Sequence, residues 1–334
     1  MRRSGLLLLV VPALAVAGCG SSSHPAVIAQ VTKTSTQATT ATQATTATTT
    51  TVLAGTGRPT VALGDMNTPE QFVLGELYDL ALSAQGYSVT LSQNIGTTSV
   101  SLEAIQQHSL DLFPEYLNVW DDQVVGDPGP FRTERDAYEL GQDYANEHDM
   151  ELLDPTPFSD TPGLAVTQAY AEADGLRTLG GLHLIAPAMT LGAPLPFIQS
   201  PTGLPALEAA YGFQPAVTKP VDIGSQYAEL RSGTLQVAYV DTTDPQLAEP
   251  EFKLLRDPKH ILGFGNVVPV TTEAVIAAEG PAFAAIIDQV SALLTTRVMR
   301  GLNAEVNIDG ETASHVATLF LEENGLLPVT SSSA

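Results

Sequence analysis

The chain has 334 residues, 44% of them apolar and 15% charged, which is enough apolar material for a sizeable core and suits about two domains. The 14 Lys and Arg against 37 Asp and Glu give a net charge of −23, which argues against binding to nucleic-acid phosphates or, through basic patches, to anionic lipid. One cysteine excludes a disulfide scaffold, a thiolate zinc site and a CxxC redox pair.

The N-terminal segment is predicted to be a targeting signal. Two arginines precede an apolar run over residues 6–16, which is short for a membrane span and has the layout of a secretory signal. The run ends in Val16-Ala17-Gly18-Cys19, which resembles a bacterial lipobox. We predict that residues 1–19 are a lipoprotein signal peptide and that lipidated Cys19 anchors the protein outside the cell membrane. An ordinary signal with an incidental cysteine is the alternative.

A polar stretch follows the cysteine. Residues 20–57 are mostly Ser, Thr, Ala and Gln, with few large apolar side chains. Such a segment buries too little apolar surface to offset the loss of chain entropy, so we predict a disordered tether. The threonine content also suits a glycosylated stalk. The folded part is expected to begin near residue 58.

The folded part opens with alternating strands and helices. Residues 58–64 read as a buried strand, and Thr68 and Gln71 form a capping box that starts a helix ending at Gly86. The next predicted elements are a strand at 88–91, a helix at 101–108 and a strand at 110–113. This alternation predicts a parallel sheet covered by helices.

A second alternating block begins near residue 163. Its predicted strands cover residues 164–166, 183–186 and 235–240, and its predicted helices cover 168–173, 204–211 and 226–232. The last third has apolar residues at helical spacing over 281–299 and a helix over 311–324. The pattern predicts an α/β protein of two lobes, with its ligand beyond the carboxyl ends of the strands.

The sequence offers little catalytic machinery. The six histidines are scattered, and no HExxH, Walker or GxSxG motif occurs. Asp111 and Glu115 flank a predicted strand end and could serve as acid and base, although a solvated strand end is the favoured interpretation. We therefore predict a binding protein without a metal, a cofactor or an enzymatic activity.

Several segments together carry a family resemblance. GDMNTPEQFVLGELYDLAL, NIGTTSV, LDLFPEYL and TPFSDTPGLAV occur in that order, followed by LGAPLPFIQSPTGLPALEAAYGF, YAELRSGTLQVAYVDTTD and LNAEVNIDGETASHVATLFLEENGLL. They resemble the substrate-binding lipoproteins of osmoprotectant ABC importers, which take glycine betaine, choline and related quaternary ammonium solutes. The resemblance covers residues 60–327.

The resemblance implies a type II periplasmic-binding-protein fold, in which two α/β lobes joined by a hinge close over a central cleft. Lobe 1 would comprise residues 58–162 and 242–328, and lobe 2 residues 163–241. The two crossings would fall near residues 158–163 and 241–245. The implied partners are a small solute, a membrane permease and an ATPase, and we expect a monomer.

Family members hold the trimethylammonium group in a cage of tyrosines, because a diffuse cation without hydrogen-bond donors is attracted to ring faces. By resemblance, two cage residues here are Tyr116 and Tyr227, for which plain packing is the alternative role. Two further cage positions depart from the family, since they hold Pro162 and Asp241.

The end of the site that would hold a ligand carboxylate also departs from the family. Two positions that are basic in some members are Met66 and Ser200 here, and a threonine position is Val119. The polar residues that remain at the implied site are Asn67, Gln71 and Thr161.

These departures share a sign: two cations are lost and two acids, Asp160 and Asp241, are gained. A buried ligand carboxylate would lack a paired charge, whereas a cation would gain one. We predict a cationic or neutral, choline-like ligand rather than glycine betaine. A diverged ligand such as a polyol, polyamine or aromatic compound is the alternative. For Asp160, capping of a hinge amide is an equal alternative to ligand binding.

Overall fold

The computed structural model describes residues 52–328. The predicted signal peptide, Cys19 and most of the predicted tether lie outside the described residues. The last six tether residues differ from the prediction, because residues 54–57 form a turn and the Gly55 amide donates to the Gln85 carbonyl at 2.9 Å. The folded part therefore begins several residues before residue 58.

The first lobe holds two small sheets. Its strands are β1 (Thr60–Gly64), β2 (Ser88–Ser92), β3 (Phe113–Tyr116), β4 (Glu151–Leu152) and, from the C-terminal part, β10 (Val267–Thr271). Strands β1 and β2 are parallel, as predicted, but β10 runs antiparallel between β3 and β4. The lobe is therefore mixed, because the returning C-terminal strand enters the sheet from the opposite direction.

Helices cover these sheets. From the N-terminal part of the chain they are α1 (Pro69–Ala84), α2 (Thr98–Gln106), α3 (Leu117–Val119) and α4 (Glu134–Glu147), and a π-helical turn, Trp120–Val125, continues α3. From the C-terminal part they are α9 (Glu273–Glu279), α10 (Pro281–Ser291), α11 (Thr296–Asn307) and α12 (Ala313–Glu323). The four helices numbered between these two groups belong to the second lobe and are given below. The apolar stretch predicted over residues 281–299 is thus two helices rather than one. Within residues 52–328, only the α9 and α10 pair, bent by 107°, reaches the length and apolar composition of a membrane span, and no single helix does.

The start of α1 makes one of the two hydrogen bonds of the predicted capping box, since the Gln71 side chain bonds the Met66 amide rather than the Thr68 amide. The Thr68 hydroxyl accepts a hydrogen bond from the Gln71 amide at 3.3 Å, which satisfies a free amide of the first turn. Further along, the buried face of the helix includes Leu74, Leu77 and Tyr78. The Tyr78 hydroxyl bonds the Ser291 hydroxyl at 2.9 Å inside the core, which ties α1 to α10.

The second lobe is built on a five-stranded sheet in the order β7-β6-β8-β5-β9. Its strands are β5 (Pro162–Thr167), β6 (Thr190–Ala193), β7 (Val217–Pro220), β8 (Val237–Asp241) and β9 (Phe252–Leu254), and its helices are α5 (Gln168–Asp174), α6 (Leu195–Gln199), α7 (Leu204–Tyr211) and α8 (Gln226–Arg231). The strand predicted at residues 183–186 is wrong. That segment lies in two 3₁₀ turns, Leu179–Leu184 and Ala186–Ala188, and Leu184 is 68% exposed, so the apolar run is not a buried strand.

The lobes are joined by two neighbouring crossings. The first lies near residues 158–163, where Ser159 pairs with Asn266 in an antiparallel bridge. At the predicted return near residues 241–245, the Thr242 and Thr243 carbonyls accept from Arg300 and Asn303 of the first-lobe helix α11, but the chain then re-enters the second lobe. Strand β9 still pairs with β5, and Leu255 and Leu262 are buried in the core of the second lobe, so the chain returns near residue 265.

Replacement of Gly265 with alanine is expected to destabilise the protein by about 2 kcal/mol or more. An added Cβ would lie 1.7 Å from the Asp160 carbonyl oxygen, so the two crossings would have to separate. Gly301→Ala is the matched control, because its Cβ meets nothing within 4 Å and alanine favours the helix by about 1 kcal/mol. Urea unfolding of both variants measures the difference, and equal stability of the two would contradict the close approach.

Candidate functional site

A cavity of about 550 Å³ opens between the lobes and brings together four residues singled out in the sequence. Tyr116 comes from the first lobe, Asp160 from the first crossing, and Tyr227 and Asp241 from the second lobe. The carboxyl ends of β3 and β8 meet here, which is where α/β proteins place their ligands. The cavity therefore has an aromatic side chain on each lobe and carboxyl groups between them.

The first-lobe wall is ordered around Glu70, in the first turn of α1. The Tyr116 hydroxyl donates to Glu70 Oε1 at 2.9 Å, and Asn303 Nδ2 of α11 donates to Glu70 Oε2 at 2.7 Å. Register between β3 and β10, which pairs Tyr116 with Val267, sets the position of the ring. Glu70 is only 6% exposed, so its carboxyl group is held by these two donors rather than by bulk water.

The second-lobe wall repeats this arrangement with tyrosines and aspartates. The Tyr227 hydroxyl donates to Asp244 Oδ2 at 2.8 Å, and its ring packs edge-on against Phe252. The Tyr239 hydroxyl donates to Asp241 Oδ1 at 2.6 Å. Because each hydroxyl is engaged with a carboxyl group, the ring orientations are fixed before any ligand arrives.

Asp160 serves the hinge as well as the cavity wall. Its Oδ1 accepts hydrogen bonds from the Thr243 amide at 3.2 Å and from the Thr242 hydroxyl at 3.4 Å. This is the amide-capping role that the sequence allowed, and the same residue lines the cavity. Capping and exposure to the cavity are therefore compatible for this side chain.

Burial raises the pKa of each carboxyl group in the wall. Together with the charge of Asp160, it raises the pKa of Asp241 to about 8. Burial and the neighbouring Glu70 raise the pKa of Asp160 well above its usual range. Burial likewise raises the pKa of Glu70 and of Asp244, against the opposing hydrogen bonds from Asn303 and Tyr227. The site thus holds acids that lack enough positive charge to keep them ionised.

Few basic side chains lie near these acids. No Lys or Arg of residues 52–328 lines the cavity. Arg300 lies behind the wall, where its guanidinium donates twice to the Thr242 carbonyl, at 2.9 and 2.6 Å. Burial lowers the pKa of Arg300 despite the nearby Tyr227 and Asp244. In the described part of the chain, no group of three or more His, Cys, Asp and Glu is arranged to hold a metal ion.

Three other residues predicted for the site do not line this cavity. Asn67 is exposed and does not line the cavity. Gln71 is fully buried, and its Oε1 accepts from the Met66 amide at 3.4 Å, which turns the side chain inward. Thr161 lines a separate cavity of about 200 Å³, because its backbone pairs with Thr242 on the far side of the crossing.

Three positions where the sequence departs from the family lie together in a neighbouring cavity. Val119, Pro162 and Ser200 line this space of about 710 Å³, together with Phe197 and Tyr239. The Tyr239 ring packs against Phe197 at 4.9 Å, and its hydroxyl reaches Asp241 in the wall of the first cavity. The two cavities therefore share the Tyr239–Asp241 pair.

Sequence reasoning missed Glu70, Asp244 and Asn303. Glu70 lies in the first turn of α1, and an acid at that position beside a predicted cleft is a usable signal. Asp244 closely follows Asp241, so the run of acids was visible in the sequence. Asn303 carries no such signal, because its role depends on how α11 packs against α1.

Comparison with known proteins identifies the family of the chain. Residues 59–323 match the family OpuAC, the substrate binding domain of ABC-type glycine betaine transport systems. A glycine-betaine-binding protein of Pseudomonas aeruginosa is 27% identical over 285 residues, covering 80% of this chain and 89% of that protein. Glycine betaine-binding protein YehZ of Escherichia coli is 27% identical over 280 residues, covering 79% of this chain and 90% of that protein.

A solved structure described as a glycine betaine/carnitine/choline ABC transporter has a TM-score of 0.74 and 21% identity, covering 80% of this chain and 99% of that chain. This likeness confirms the predicted α/β fold of two lobes. The family match spans most of the chain. The members of this family are substrate-binding components of importers and not enzymes. The chain therefore belongs to the OpuAC family of substrate-binding domains of ABC-type glycine betaine transport systems.

Proposed function

We propose that the protein is an extracytoplasmic receptor for a small cationic or neutral solute, choline-like rather than glycine betaine, which it delivers to a permease and ATPase pair. The observation that carries this proposal is the interlobe cavity walled by Glu70, Asp160, Asp241 and Asp244, without a Lys or Arg among its described lining residues. Closure of the lobes would dehydrate a bound solute and present the closed form to the permease.

Charge decides between the ligands. A quaternary ammonium group gains attraction to the rings of Tyr116 and Tyr227 and to the carboxyl groups between them, which release protons as the cation binds. Glycine betaine offers the same cation but adds a carboxylate, which would be buried beside acids with no cation to pair with. Choline carries a neutral hydroxyl instead, which the amide of Asn303 or a carboxyl group can accommodate.

Titration calorimetry of the full chain with choline and with glycine betaine tests the proposal. We expect choline to bind at least tenfold more tightly than glycine betaine. Glycine betaine carries a carboxylate that choline lacks, and binding would bury this carboxylate without a cation to pair with it. Submicromolar glycine betaine binding that is unchanged by Asp241→Ala would contradict the proposal. Circular dichroism of the variant confirms that it is folded.

Removal of one aromatic ring is expected to weaken choline binding. Tyr116→Ala deletes a ring face and should cost about 1–2 kcal/mol, or roughly 5- to 30-fold in affinity. Tyr116→Phe is the matched control, because it keeps the ring and removes only the hydroxyl that donates to Glu70. Equal losses in the two variants would assign the effect to the hydroxyl and count against a cation–π role.

A second candidate ligand is larger. The adjoining cavity of about 710 Å³, lined by Phe197 and Tyr239 among others, supports a solute that extends past Asp241. A polyol, a polyamine or an aromatic compound would fit this description, in the same receptor or in a binding lipoprotein without a transport role. A thermal-shift screen across choline, betaines, carnitine, polyamines, polyols and aromatic cations separates the candidates by the size of the stabilisation.

The anchor is proposed from the sequence alone. Lipid on Cys19 would hold the receptor at the outer face of the membrane, and the mature chain would act as a monomer. Cys19→Ser is expected to move the protein from the membrane fraction to the soluble fraction without changing ligand affinity. Intact-mass spectrometry of the wild type should show the acyl chains, and an unmodified Cys19 would contradict the anchor.

A further inference from the structure

A separate cavity of about 580 Å³ lies on the second lobe, outside the interlobe site. Arg177, Lys253 and Arg256 line it, in a chain that has only 14 basic residues and a net charge of −23. All three side chains are exposed. Three of the chain's 14 basic residues therefore share one cavity on a strongly acidic protein.

The three cations have no partner among the described residues, because none makes a side-chain hydrogen bond or an ion pair within residues 52–328. Other cations of the same lobe are paired: Lys219 with Glu229, and Arg231 with both Glu249 and Glu251. In a chain with a large excess of carboxylates, three unpaired cations in one cavity are unexpected.

Two of the nearby carboxylates are engaged elsewhere. Glu172 lines the cavity, and its Oε1 accepts from Gln168 Nε2 at 2.7 Å. Asp257, next to Arg256, accepts hydrogen bonds from the Tyr211 hydroxyl and from the Leu262 amide. Three cations and one carboxylate leave the cavity wall with a net charge of +2.

The backbone holds two of these like charges together. The Arg256 amide donates to the Arg177 carbonyl at 3.2 Å, and Thr178 forms a parallel bridge with Arg256. Like charges at neighbouring backbone positions repel each other, and a bound anion reverses the sign of that interaction. Buried Leu176 and partly buried Leu254 add an apolar floor beside the charges.

We propose that this second-lobe cavity is an anion site that takes a phosphoryl group. Arginine forks bind phosphate oxygens in pairs, lysine adds a point charge, and the wall charge of +2 matches a phosphomonoester dianion. Phosphoryl groups occur on soluble compounds and on lipid headgroups. Both sources present the same phosphoryl chemistry to the cavity, and the two probes below distinguish them.

Two probes at fixed ionic strength test the site on the full chain: inorganic phosphate by equilibrium dialysis, and sedimentation with phosphatidylethanolamine vesicles that contain phosphatidic acid. The test variant is Arg177→Gln/Lys253→Gln/Arg256→Gln. The control is Arg132→Gln/Arg135→Gln/Arg297→Gln, which changes the net charge equally on the first lobe.

Saturable phosphate binding that falls at least tenfold in the test variant and less than twofold in the control supports the site and a soluble source. The same pattern with vesicles alone supports the site and a lipid source. Equal losses in the two variants, or no binding of either probe, would overturn the proposal. The exposed substitutions should leave the melting temperature in phosphate-free buffer unchanged or slightly raised, since they remove repulsion.

Discussion

A chain carrying both Asp160→Asn and Asp241→Asn is expected to bind choline roughly 100-fold more weakly than the wild type at pH 8.5. Removal of buried charge partners costs about 2–5 kcal/mol, and about 3 kcal/mol corresponds to this factor. The measurement is made above the pKa of about 8 that burial gives Asp241, where the wild-type carboxyl group is ionised. Glycine betaine should lose less, since the variant also relieves repulsion of its carboxylate.

The control for this experiment is Asp222→Asn. Asp222 is an exposed acid that directly precedes Ile223, which lines the same cavity. It should change choline affinity less than twofold, because an exposed charge is screened by water. The double variant is expected to fold normally, since burial already favours the neutral form of both side chains. An unchanged choline affinity in a folded double variant would show that the acids do not recognise the cation.

Choline affinity of the wild type is expected to rise between pH 6 and pH 8.5 and then to level off. The free site holds protons because burial raises the pKa of Asp241 to about 8 and raises those of Glu70 and Asp160 in the same direction. A bound cation lowers these pKa values, so binding releases protons and strengthens as they become scarce. Each proton released contributes up to about tenfold in affinity per pH unit.

Calorimetry at pH 7 in two buffers of different ionisation enthalpy counts the protons directly. We expect release of about one proton per choline in the wild type and less in Asp241→Asn. The stability of the ligand-free protein depends on pH in the opposite direction, because the folded state binds these protons more tightly than the unfolded state. Stability is greatest below the ordinary carboxyl range and falls as the pH rises through about 8. A choline affinity that does not change between pH 6 and pH 8.5 would contradict the coupling of choline binding to proton release from the buried carboxyl groups.

The candidate site was predictable where a local pattern carried it. Tyr116 and Tyr227 followed from motif resemblance, and Asp160 and Asp241 from acids at positions where the family has none; all four line the cavity. Gln71 shows the limit of this reasoning. The same residue type at a helix start can face a ligand or turn inward, and here its oxygen accepts from the Met66 amide.

The crossings show a similar limit. The run of alternating elements predicted two lobes, but it did not show that the chain re-enters the second lobe after residue 245. Strand β9 is short, and nothing in the sequence Phe252–Leu254 says that it pairs with β5 rather than ending the lobe. Pairing of an edge strand depends on the surface that the neighbouring strand presents, which is a property of the folded lobe.

By itself, the sequence determined the α/β pattern, the cap that starts α1, the acidic balance and the family, because these depend on local periodicity, composition and motifs. Tertiary structure decided which acids meet. Glu70 joins Tyr116 across 46 residues and Asn303 across 233 residues. Packing of α1, α11 and the crossing buries these groups in one cavity, and burial beside like charge raises their pKa values. The electrostatic preference of the site therefore arises from folding rather than from any single residue.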